Sequence, residues 1–285
     1  MYSTPSIDGN EKTGYDTLPI QKNAKNTLVV GAINDRKQMT KFSSWGPTDD
    51  GRIKPDVVAN GFEVYSTSSA FDKAYTTKSG TSMATPHVTG TAALLHQHYT
   101  NLHGSEVKPS SATMKGLLIH TAADAGNPGP DYSYGWGVVD GAAGANFLSD
   151  SKAEDGSLLR QDESYTGSKQ KIEVKSDGSE PLKTTIVWTD PAGKAHGNGL
   201  DDDTPALVND LDLWIVGPDG QTYYPWSLNP GKPSDDAVRN QKNSVDNVEQ
   251  VLIDNPVAGT YTIHVDSDKS FRQKYSLFAS GLGNE

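Results

Sequence analysis

Two patterns of apolar residues divide the chain. In the first part, short β-branched runs precede longer helical segments. "TLVVGAI" (residues 27–33) is a compact apolar run and predicts a buried strand. "MTKFSSWGPTDDGRIKPDVVANG" reads as strand and turn, punctuated by Gly46-Pro47, Asp50-Gly51 and Pro55. "GFEVYSTSS" predicts a further strand. A helix is predicted from the junction at Ser82 to about Tyr99, with Ala92, Ala93, Leu94 and Leu95 in its body and Gly104 beyond its end. "SSATMKGLLIHTA" places a serine at an N-cap position and predicts a second helix. "DYSYGWGVVDGAAGANFL" predicts a Gly-rich turn and a third, short helix.

The pattern changes near residue 150. "LSDSKAEDGS" is polar and suits a linker over residues 151–159. Beyond it the apolar period is two, in "KIEVK", "LKTTIVWTD", "LDLWIV", "TYTIHV" and "YSLFA", separated by clusters such as "GPDGQ" and "DNPVAG". This predicts an antiparallel β-sandwich or jelly roll over 160–285. Residues 1–26 read as loop, and there is no internal repeat.

Composition narrows the chemistry. The 285 residues carry a formal net charge of −11, which argues against a nucleic-acid partner, because phosphate binding needs a basic face. The absence of cysteine excludes disulfides, thiolate nucleophiles and cysteine–zinc sites. No apolar run approaches the length of a membrane span, so no membrane partner is expected. "MYSTPSIDGNEKTG" has no basic start followed by an apolar block, so no signal peptide is read there.

The Ser82 junction concentrates the candidate chemistry. A serine in the first turn of a helix lies among free backbone N–H groups at the positive end of the helix dipole. An oxyanion formed on a carbonyl attacked by Ser82 would be stabilised there. The plain alternative for any one serine at a helix start is a capping role. The full string, Gly80-Thr81-Ser82-Met83-Ala84-Thr85-Pro86-His87-Val88, closely resembles the nucleophile motif of the subtilisin-like serine proteases (subtilases, Peptidase S8). "LVVGAI", "FSSWGPTDDGRIKPDVVANG", "MKGLLIHTA" and "YGWGVVDGAAG" follow in the family's order, with Asn60 where the family commonly has proline.

The resemblance implies that residues 1–150 are the C-terminal half of a subtilase catalytic domain, with part of its parallel α/β sheet. "TTIVWTD", "LVNDLDLWI" and "AGTYTIHV" resemble the β-jelly-roll domain that follows it in some bacterial members. It further implies a secreted endopeptidase acting on polypeptides, with Ser82 as nucleophile and Gly80, Thr81 and Met83 shaping its turn.

A serine hydroxyl needs a base, usually histidine, oriented by a carboxylate. The family's Asp and His motifs precede its serine, yet no histidine precedes Ser82 here. His87, His96, His98, His103, His120, His196 and His264 all follow it, and none has the family's context. The expected partner is therefore the missing N-terminal half of the catalytic domain, and the chain alone is expected to be inactive. The family's side-chain oxyanion donor is an Asn, for which Asn10 is the candidate. The rival expectation is a non-catalytic binding or structural module. In the second part, Asp190, Asp210 and Asp212 lie near predicted strand ends, and Asp210 and Asp212 alternate onto one face. Calcium favours such oxygen-rich sites, and related jelly-roll domains carry it, so a structural Ca²⁺ is implied.

Overall fold

The computed structural model describes residues 14–19, 22–194 and 202–283. Strands β1 (Val30–Ile33) and β2 (Val57–Asn60) pair in parallel, Val30 opposite Val57, and a bridge from Val58 to Val138 extends the pairing. Both strands are buried almost throughout, as expected for a parallel pair covered by helices. A two-stranded hairpin, β3 (Val64–Thr67) and β4 (Tyr75–Lys78), then leads into helix α1 (Thr81–His103).

Helix α1 buries one stripe, Ala84, Val88, Leu95 and Tyr99, and leaves the rest largely open. It runs one turn past the predicted end. Pro86 is its sixth residue and sits in the second turn. A proline there cannot donate to the carbonyl four residues back, which frees the Ser82 carbonyl from the helix ladder.

Helix α2 (Ser111–His120) is capped by Ser110, whose Oγ accepts the Thr113 N–H at 3.2 Å. Eight of its ten residues are buried, so it is a core helix without a polar face. Helix α3 (Gly141–Ala153) is capped by Asp140, which accepts the Ala143 N–H at 2.9 Å. It ends on Glu154 at φ 58° with Gly156 at φ 68°, and β5 (Ser157–Tyr165) starts at once. The stretch 151–159, predicted as a linker, is therefore the end of α3, a three-residue connection and the start of β5. Its exposed polar residues are Lys152 at the end of α3 and Glu154 and Asp155 in the connection.

The remaining strands are β6 (Gln170–Ser176), β7 (Leu182–Trp188), β8 (Asp212–Val216), β9 (Thr222–Tyr223), β10 (Val248–Ile253), β11 (Gly259–Asp266) and β12 (Gln273–Ser280). They form two open antiparallel sheets of four strands, in the orders β10-β7-β12-β5 and β6-β11-β8-β9. Their inner faces share one core, which includes Trp188, Leu213, Ile215, Ile263 and Leu277.

The first of these sheets is covered on both faces. On β12, Tyr275, Leu277 and Ala279 face the second sheet, while Ser276, Phe278 and Ser280 face the helices. Phe278 is fully buried against Gly116, His120 and Phe147, and a Cβ at position 116 would overlap its ring. Ser276 Oγ lies 2.8 Å from Thr113 Oγ1, and Ser280 Oγ lies 3.2 Å from His120 Nε2. Val187, Trp226, Val248 and Phe278 belong to the same core as Val57, Leu117 and Phe147. Polar contacts reinforce the seam. The Ile53 N–H donates to Asp246 Oδ1 at 2.9 Å, and the Ala206 N–H to Asp50 Oδ2 at 3.1 Å.

A core shared in this way predicts one cooperative unfolding transition for both regions. Phe278→Ala, which empties a site between them, is expected to cost about 3–5 kcal/mol and to lower that transition without splitting it. Denaturant unfolding followed by near-ultraviolet circular dichroism checks this. Two separated transitions in the unaltered chain would contradict it.

Candidate functional site: the Ser82 turn and a buried acidic cluster

The Ser82 turn hangs from the carboxyl ends of the parallel strands. The Gly61 N–H donates to the Ile33 carbonyl at 2.9 Å, and the Gly80 N–H donates to the Gly61 carbonyl at 2.8 Å. A Cβ at Gly61 would lie 2.6 Å from the Gly80 carbonyl oxygen and 2.8 Å from the Ala32 Cβ, so only glycine allows this approach. Gly80 itself takes φ 153°, a conformation that disfavours other residues. It caps α1 through its backbone alone, with no side-chain cap and no acidic residue in the first turn. Thr81 and Ser82 are thus the first two helical residues, and the Thr85 hydroxyl bonds back to the Thr81 carbonyl at 2.9 Å.

Ser82 is exposed, and Met83 beside it is half-buried. Both border a groove of about 310 Å³ between α1 and the β3–β4 hairpin, shared with Lys78 and His87. Among the described residues no side chain hydrogen-bonds to Ser82. The His87 Nδ1 lies 2.7 Å from the Asn60 carbonyl and so donates to it.

Four of the other histidines are engaged elsewhere, and His96, on α1, makes no hydrogen bond to Ser82. His98 meets Ser149, His103 stacks on Tyr99, and His264 stacks on Trp214 with ring centroids 4.9 Å apart. His120 is fully buried between Thr185 and Ser280, and burial holds its imidazole well below the usual range. Asn10 and His196 lie outside the described residues.

The acidic candidates separate. Asp190 is buried and ion-paired with Lys25, and its oxygens accept the Val208 and Asn209 N–H groups at 2.9 and 2.8 Å. Its oxygens are fully engaged as a structural tie, and it stands apart from the other two. Asp210 and Asp212 do come together, and Glu249 joins them. One oxygen from each lies within 4.8 Å of the others.

Glu249 is fully buried. It shares the face of Val251 and Ile253 on β10, so it points between the two sheets. Its Oε2 accepts the Leu213 N–H at 2.6 Å, while its Oε1 and the Asp210 Oδ1 are buried without a partner. Lys242 reaches Asp212 at 2.7 Å from the more exposed side. Burial, then the neighbouring Asp212 charge, pushes Asp210 up to about 6. Burial pushes Glu249 well above the usual carboxylate range, with Asp212 and Asp210 adding to it. Sequence reading missed Glu249 because it lies 37 residues after Asp212 and on the other sheet. Its one signal is a charged residue at an inward position of the "VEQVLI" run.

The sign of the resulting pH dependence follows from linkage. A carboxyl raised in the folded state keeps a proton that the unfolded chain has released, so stability falls as pH rises above the ordinary carboxylate range. Without divalent cations, Glu249→Gln is expected to raise the melting temperature at pH 8 and to leave it nearly unchanged at pH 4. The amide oxygen still accepts from Leu213. Melting curves of both proteins across pH test this, and parallel profiles would contradict it.

Comparison with known proteins finds a family and several relatives. Residues 8–137 match the model of the subtilase family, Peptidase S8. The serine protease/ABC transporter B family protein tagA of Dictyostelium discoideum is 29% identical over 255 residues, covering 79% of this chain and 14% of that protein. Subtilisin DY of Bacillus licheniformis is 36% identical over 118 residues, covering 41% of this chain and 36% of its own length. Among solved structures, the self-cleaved protease domain of PatA aligns with TM-score 0.40 and 25% identity, over 48% of this chain and 46% of that one. The chain thus spans well under two thirds of the curated relatives it matches. No helix among the described residues is long and apolar enough to cross a membrane. Over residues 8–137, then, this chain carries a domain of the subtilase family.

Proposed function

We propose that this chain is the nucleophile-bearing part of a secreted subtilisin-like serine endopeptidase. The observation that carries the reading is the position of Ser82. It is exposed in the first turn of a 23-residue helix whose N-terminal N–H groups have neither a side-chain cap nor a neighbouring acid. Ser82 Oγ adds to the peptide carbonyl while its proton passes to a base. The amine leaves with a proton, and water then hydrolyses the acyl-enzyme. The oxyanion faces the first-turn N–H groups, and Asn10 is the proposed side-chain donor. The base and its orienting carboxylate are assigned to the family's N-terminal half-domain as the partner, so the chain alone is inactive.

A second reading, a non-catalytic binding or structural module, is favoured by the lack of any base on Ser82 among the described residues. A fluorophosphonate probe separates the two. Labelling of the chain, alone or mixed with an N-terminal subtilase half-domain, that disappears in Ser82→Ala supports the protease reading. No labelling in either condition supports the module.

The eight strands of the second region are proposed to form a jelly roll. The support is their strand order, in which β5 to β8 alternate between the sheets and β9 to β12 do so again. A structural calcium ion is proposed for Asp210, Asp212 and Glu249 rather than Asp190. The donors are all hard oxygens, and two buried carboxylate oxygens lack any other partner. Millimolar calcium is expected to raise the melting temperature, and chelator to reverse the shift. Glu249→Gln should abolish the response. No calcium-dependent shift in the unaltered chain would remove the site.

A further inference from the structure

We infer that the groove beside Ser82 selects an acidic side chain, with Lys78 as the residue that sets the preference. The inference rests on the reading of Ser82 as the residue that meets a peptide carbonyl, since Ser82 is at the rim of the groove. A side chain next to the attacked bond then falls into it.

The chemistry of the walls is one-sided. In the β3–β4 hairpin, Val64 pairs with Lys78 and Ser66 with Thr76, so these four side chains share one face, and that face lines the groove. Tyr65 and Tyr75 lie on the other face, stacked 5.2 Å apart. Lys78 makes no ion pair among the described residues. Among the described residues no carboxylate lines the groove, and the nearest acids along the chain, Glu63 and Asp72, are outside its walls.

Ser66 and Thr76 add hydroxyl donors, and His87 is fixed on the opposite wall by its bond to Asn60. One unpaired ammonium, the hydroxyls of Ser66, Thr67 and Thr76 beside that of Ser82, and no acid among the described residues fit a carboxylate. A lysine or arginine side chain would meet a like charge there. Lys78 is exposed, which keeps the energy of the pair small and the effect one of discrimination.

The test is binding, which does not require turnover. Fluorescein-labelled Gly/Ala octapeptides carrying one central Glu, Gln or Lys are titrated into the full chain and followed by anisotropy. The Glu peptide is expected to bind roughly three- to five-fold tighter than the Gln peptide, with Lys weakest. The difference should vanish in Lys78→Met and in about 1 M salt, where the screening length is about 3 Å. Gln-peptide affinity should be the same in both proteins.

Equal affinities for Glu and Gln, a Glu preference that survives Lys78→Met, or no measurable binding of the Glu peptide would each overturn the inference. Absence of fluorophosphonate labelling even with an N-terminal subtilase half-domain added, with the Glu preference intact, would instead count against Ser82 as nucleophile and leave the groove assignment standing.

Discussion

The first region is organised around one carboxylate taken out of water. Asp56 is 2% exposed. Its side chain accepts the Val29 N–H at 2.7 Å and meets the ammonium groups of Lys54 and Lys115, the latter at 3.0 Å. Its carbonyl accepts the Trp136 N–H at 2.9 Å. One residue therefore ties the entry of β1, the entry of β2, helix α2 and the turn before α3. Burial works against the charge, but Lys115 and Lys54 hold the carboxyl below its usual range. Lys54 shows the other side of the balance, pushed down to about 7 by burial in spite of Asp56. Such a network stands only when complete, because losing one partner leaves a buried charge uncompensated.

That platform explains why Ser82 is where it is. Parallel strands in α/β sheets present their ligand crevice beyond their carboxyl ends. β1 and β2 end together at Ile33 and Asn60, and the next residue, Gly61, carries the hydrogen bond that seats Gly80. Two glycines let backbone meet backbone, and His87 in the second turn adds a bond to the Asn60 carbonyl, so the start of α1 is placed without a side-chain cap. A helix positioned this way leaves its first turn free of side-chain caps, which is the condition for oxyanion binding.

The Ser82 turn was legible because its signal is local. Gly80, Thr81, Ser82 and Met83 are consecutive, and the helix boundary follows from their backbone requirements. Helices α1, α2 and α3 and strands β6, β7, β8, β11 and β12 were readable from period and caps for the same reason. β5 and β10 were not. β5 alternates in exposure, but its first three residues lie in the stretch 151–159 expected as linker, and Arg160, Asp162 and Glu163 leave its remainder without an apolar period. β10 is buried on both faces, so its polar residues Glu249 and Gln250 hide the strand pattern. Asp190 misled for the converse reason, since its partner Lys25 is 165 residues away and no short-range pattern shows it. Asp210, Asp212 and Glu249 meet only once two sheets are stacked.

The doubly covered sheet also joins the two features that sequence treats as separate. Asp246 and Asn247 immediately precede and Glu249 lies within the short stretch that opens β10. Asp246 accepts the Ile53 N–H, one residue before Lys54 and three before Asp56. Asn247 donates to the Trp188 carbonyl and to Asn26. Glu249, three residues after Asp246 and about 10 Å along an extended strand, accepts from Leu213 on the second sheet. One short, fully buried segment thus fastens the Ser82 platform at one end and the acidic cluster at the other. Neither end has an apolar substitute, because each bond satisfies a buried backbone N–H that would otherwise be orphaned. The second region is on this account a structural wall of the first, sharing its core and its backbone satisfaction, rather than a module tethered beside it.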